Sequence, residues 1–218
     1  MTHGTWINFH PYARDGVYLR PKDYAGLTHV TSYPQPFWGI EGGTSWFKQF
    51  DFSWFYVSGG GVNYNPVPGR IPEISHEDQV NATLTFHAMG RLRIDNNYLL
   101  EHIREREANR TAVTNHILRS KWNYQFTREL SARVIFQYVS VLSNPLISTL
   151  SPTKNFNADF LITYLVHPGT AIYVGYNSNL QNLDRRLLPT PTGLQTTRDD
   201  FINDGRQFFV KVSYLFRF

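Results

Sequence analysis

The side chains able to do chemistry in this chain recur at every second residue and are not gathered into a motif. Arg91, Arg93 and Asp95 follow that spacing, as do Arg119 and Lys121, and Arg133, Asp159, Lys211 and Arg217 continue it on later stretches. Charges two apart in an extended chain share one face, where they pair across strands or line a water-filled space. Two roles follow. The bland one is a solvated interior in which opposite charges pair, and it is the expected one. The sharper one is a basic lining that favours anions or sugar phosphates.

Other chemistry finds less support. Of the eight histidines, His76, His87, His102, His116 and His167 stand on different stretches, without an HExxH pattern or a helical pair at spacing four. A chain with no cysteine has no disulfide, no thiolate zinc site, no iron–sulfur cluster and no cysteine nucleophile. Ser120, Ser140 and Ser213 lack the context of a nucleophile with a base and an orienting partner. No cofactor is implied, and no enzymatic activity is expected. The net charge of +4 contains no basic block, so nucleic acid is not an expected partner.

The elements that must position those charges are strands. Along residues 80–88 the apolar Val80, Ala82, Leu84, Phe86 and Ala88 alternate strictly with Asn81, Thr83, Thr85 and His87. A period of two marks a strand with one apolar and one polar face. The pattern repeats over 117–126, 131–138, 156–166 and 206–218, and more weakly over 37–47, 50–58, 91–98 and 170–178. A short helix competes only at residues 99–106, where a strand agrees better with its neighbours. The connections alternate in length. Tight turns at 88–90, 126–129 and 167–170 take turns with long polar segments at 58–79, 104–114, 143–154 and 179–205. An up-and-down meander with one neat end and one long-looped end is the plan of a bacterial outer-membrane β-barrel.

Aromatic residues make up 16% of the chain, yet the mean hydropathy is only -0.37. Rows of Phe, Tyr and Trp from every strand would overfill a small barrel interior, so the rings belong outside, against lipid. The final strand alternates Phe208, Val210, Val212, Tyr214, Phe216 and Phe218, and in a closed barrel it would be bonded along both edges. Nine strands are readable from residue 37 onward, and a tenth near residues 3–10 completes an even number. The expected fold is therefore all-β, an antiparallel up-and-down transmembrane β-barrel of about ten strands, or the C-terminal part of a larger one. A soluble β-sandwich or barrel binding protein is the structural rival, and an outer-membrane hydrolase is a weaker one.

Residues 115–138, together with Gly90–Tyr98, Ala171–Asn177 and Val212–Phe218, resemble the C-terminal barrel of a family of bacterial outer-membrane proteins of unknown function. Members of that family carry a β-sandwich related to family 9 carbohydrate-binding modules ahead of the barrel. The resemblance implies a barrel over residues 37–218, preceded over 1–36 by irregular chain or a partial first strand and loop. It also implies a C-terminal assembly signal at Tyr214, Phe216 and Phe218, read by the barrel-assembly machinery, and outer-membrane lipid as surroundings. Against that family's pattern, the sandwich, the signal peptide and the first barrel strands are expected to be missing from this sequence. The expectation is a C-terminal fragment that serves as membrane anchor or pore for an upstream domain, through which carbohydrate is a partner.

Overall fold

The structure is a computed structural model, and it describes residues 4–24, 26–190, 193–198 and 200–215. Among them there is no helix. The fold is all-β: ten long strands form one antiparallel sheet in chain order. These are β1 (Thr5–Leu19), β2 (Thr31–Thr44), β3 (Phe50–Val62), β4 (Ile74–Met89) and β5 (Leu92–Glu105), then β6 (Thr111–Gln125), β7 (Leu130–Ser143), β8 (Thr153–His167) and β9 (Thr170–Gln181). After two short strands, β10 (Pro189–Thr190) and β11 (Gly193–Leu194), which pair with each other, β12 (Ile202–Tyr214) completes the sheet beside β9. At one end the strands are joined by the short segments 45–49, 90–91, 126–129 and 168–169. Gly169 makes the last of these possible, since its φ of 94° is one that residues with a Cβ rarely adopt. At the other end lie the segments 20–30, 63–73, 106–110, 144–152 and 182–201, all of them longer except 106–110, which matches 45–49 in length.

The strands run further toward the loop end than their alternation suggests. β4, for example, begins at Ile74 and not near residue 80. There, His76 and Asp78 on one face meet Glu77 and Gln79 on the other, so the period vanishes while the backbone ladder to β3 and β5 continues. The same ladder holds 99–105 as strand, against the helical alternative. Residues 1–36 also differ from a partial strand. β1 spans Thr5–Leu19 and β2 already starts at Thr31. Prolines hide both. Pro11 sits at the register shift between His10 and Ala13 of an edge strand, and Pro34 and Pro36 face β1 where β2 has no ladder to β3. At that divergence Gly59 passes so close to Pro36 that an added Cβ would lie 2.3 Å from its carbonyl oxygen.

The expectation that the last strand is bonded along both edges is corrected. Among the described residues β12 pairs only with β9 and β1 only with β2, so the sheet keeps two free edges.

Burial is concentrated at the loop end. Ala112, Val113 and Ile147 form a small core with Ile103, Val141 and Leu150 against it. Segments 63–73 and 144–152 are tied across this core. Asn63 donates to the Ile147 carbonyl at 3.1 Å, the Thr149 amide donates to Asn65 at 2.9 Å, and Pro66 bridges to Ser148.

Candidate functional site

Cross-strand register sorts the charges. Thr85, Asp95, Lys121, Ile135, Asp159, Asn177 and Gln207 lie side by side across β4 to β12. One row toward the short turns come Arg93, Asn123, Arg133 and Leu161. One row toward the loops come Asn97, Arg119, Gln137 and Asn157. Lys211 belongs to the same face, opposite Tyr173, with its ammonium 5.8 Å from the ring centre. Thus Arg93, Asp95, Arg119, Lys121, Arg133, Asp159 and Lys211 share one face of the sheet. Arg91 lies in the β4–β5 turn and donates to the Phe126 carbonyl at 3.3 Å. Arg217, Phe216 and Phe218 lie outside the described residues.

The opposite face carries the rings. Leu84, Phe86, Trp122, Val134, Phe136, Phe160, Ile162 and Tyr164 stand on it, as do Tyr176, Phe208, Val210 and Tyr214. They are not packed into a core: Phe160 is 40% exposed and Tyr164 47%. Cavities that lie against the sheet open on the polar side, among Gln35, Phe55, Gln79 and Glu77 and again among Arg93, Gln125, Arg133 and Thr163.

Within the polar face the charges are unequally partnered. Asp95 accepts from Arg93 Nε at 2.8 Å and Thr85 Oγ1 at 3.1 Å, and faces Lys121 Nζ at 3.2 Å. Asp159 accepts from Asn177. The side chains of Arg119 and Arg133 make no hydrogen bond or ion pair among the described residues. At the loop end Glu105 holds both Arg70, at 3.0 Å, and Arg110, at 2.7 Å, and that carboxylate pushes the Arg110 guanidinium still further up.

A second polar group, unread in the sequence, sits on the ring-bearing face where its apolar part ends. Asp78 Oδ1 accepts from Ser58 at 2.7 Å and Tyr56 at 2.8 Å, and Oδ2 accepts from Arg104 at 2.8 Å. His76 Nε2 is 3.1 Å from Ser58 and 3.4 Å from the same Asp78 oxygen. Only the register, Ser58 opposite Asp78 and Gly60 opposite His76, brings them together. This is not a hydrolytic relay. Serine and imidazole both address one carboxylate oxygen, whereas a relay needs the acid on the far ring nitrogen and the serine on the near one. Ser120, for its part, donates to Asn96 at 2.7 Å and accepts from Trp122. Among the described residues no three His, Asp or Glu side chains converge as metal ligands.

The chain is similar in structure to an outer-membrane protein. That protein is OmpT of Vibrio cholerae, folded in vitro and in its trimer form, and it matches with a TM-score of 0.48 and 10% sequence identity. The match covers 96% of this chain, which spans 63% of the length of that one. No family model and no curated protein matches the sequence.

Proposed function

We propose that this chain is the wall of a bacterial outer-membrane β-barrel, its rings against acyl chains and its charged face around water. It serves as the membrane anchor or pore of an upstream carbohydrate-binding-like domain. The observation that carries the reading is the uncovered apolar face. A soluble sandwich would lay a second sheet over it. Here Trp122, Phe136, Phe160 and Tyr164 stay exposed, and the buried apolar residues, such as Val62, Val113 and Ile147, cluster near the loop end.

Dimensions support the same reading. On β8 the apolar positions run from Phe156 to Tyr164, eight steps or about 27 Å along the strand. At a tilt of about 40° they cover roughly 20 Å of membrane normal, close to the ~25 Å apolar band of such barrels. Lys154 follows on β8 and Asp78, His102 and Arg104 on β4 and β5, as expected where acyl chains give way to headgroups. Tyr214 ends β12 with its ring exposed. With Phe216 and Phe218 it is the proposed contact for the barrel-assembly machinery.

Floating the refolded chain with phosphatidylcholine vesicles tests the reading. It should co-float and show a heat-modifiable gel mobility. A chain that is monodisperse in detergent-free buffer and stays with the bottom fraction overturns it.

A further inference from the structure

The short-turn end of the polar face holds a cavity of about 530 Å³, within the ~300–1,000 Å³ range of small-molecule sites. Its charged lining is cationic: Arg91 from the β4–β5 turn, Arg93 from β5 and Arg133 from β7, with no carboxylate among the lining residues. Asn123 of β6 adds a neutral donor, Gln125 of β6 offers its amide oxygen while its nitrogen donates to the Thr127 and Leu130 carbonyls, and His87 stands at the edge, held by Asp51 at 3.0 Å.

What singles this cavity out is how few of its cations are spent on the protein. Asp95 engages Arg93 only through Nε, leaving both terminal nitrogens of that guanidinium unengaged. Arg91 uses one nitrogen on a backbone carbonyl, and Arg133 has no partner among the described residues. Three arginines lining one space repel each other, and each carries a planar fork that suits phosphate oxygens. If their only role were to pair with protein carboxylates, a carboxylate would be expected where Leu161 lies opposite Arg133.

We propose that this cavity is a binding site for a phosphorylated small solute, its phosphoryl group held by Arg93 and Arg133 and its body lying toward Asn123 and Gln125. The volume exceeds what a bare phosphate needs, and the amides offer partners for hydroxyls. This goes beyond the barrel reading and needs only that the polar face stay wet.

Titration calorimetry on the 218-residue chain, in detergent micelles at about 0.15 M salt to screen the diffuse field, tests the site with glucose 6-phosphate and with glucose. The phosphorylated sugar should bind saturably and glucose should not. Arg133→Gln should weaken binding about tenfold, the usual worth of one charge-assisted contact. Arg119→Gln, the same charge change on the same face but outside the cavity, should change it by less than about twofold. Equal losses in both variants would show a general basic field, and absent or non-saturable binding would show no site; either overturns the proposal. Vesicle flotation is a separate readout, so failure to insert counts against the barrel and not against the site.

Discussion

The two ends of the polar face are built on opposite plans. At the loop end, segments 63–73 and 144–152 are long enough to fold back over the sheet, and they bury Ile147 against Ala112 and Val113. At the other end the connections are as short as the two residues 90–91 and 168–169, too short to reach over the face, and the guanidiniums there stay wet. Burial follows loop length. One end gains order from packing and backbone hydrogen bonds, while the other keeps unspent charge. Stability and ligand chemistry are thereby assigned to different places on one surface.

The sharpest way to break this contrast is to cut the packed end. Ile147→Ala removes a side chain that is only 2% exposed, a loss of about 2–5 kcal/mol in a well-packed core. The loss should be local. Hydrogen exchange should quicken at residues 63–73 and 144–152, while amides near the Arg93–Arg133 cavity keep their protection. Equal quickening at both ends would mean that the face opens as one unit, and the contrast would fail.

How much of this was legible in the sequence follows from the same contrast. The alternation of Val80 to Ala88 or of Phe156 to Val166 exposes the alternating part of each strand, because one face is apolar and the other polar. Toward the loops both faces turn polar, as at Glu77 and Asp78, so the strand ends there are invisible in the period. Ile147 and Asn63 lie in segments with no period at all, and the bond from Asn63 to the Ile147 carbonyl and the bridge between Pro66 and Ser148 bring them together only in the folded chain. The row of Arg93, Asp95, Lys121 and Arg133 was readable as one face, but not which cation is left over. That depends on register, which places Lys121 directly opposite Asp95 and sets Arg133 one row away, opposite Asn123.

A smaller effect tests the open end. Asp95→Ala strips the carboxylate from Arg93 and Lys121, whose side chains are 59% and 39% exposed, so solvent screening limits the loss to about 1 kcal/mol. The melting temperature should fall slightly. Affinity for glucose 6-phosphate should rise, because Arg93 is then wholly available. If affinity falls with stability, Asp95 positions Arg93 and does not compete with the ligand, and the charge at this end is held and not spare.

The smallest expected effect discriminates most finely. Arg133 is exposed and without a partner among the described residues, so Arg133→Gln leaves no group orphaned and opens no void. Stability should stay within about 0.5 kcal/mol of the parent, as for surface positions away from any network. It could even rise slightly, since a like charge near Arg93 and Arg91 is removed. A melting curve superimposable on the parent's, in the same variant that loses glucose 6-phosphate, is the signature of a side chain kept for a ligand. A drop of more than about 1 kcal/mol would place Arg133 in a structural network. The open end would then be only a looser version of the packed one.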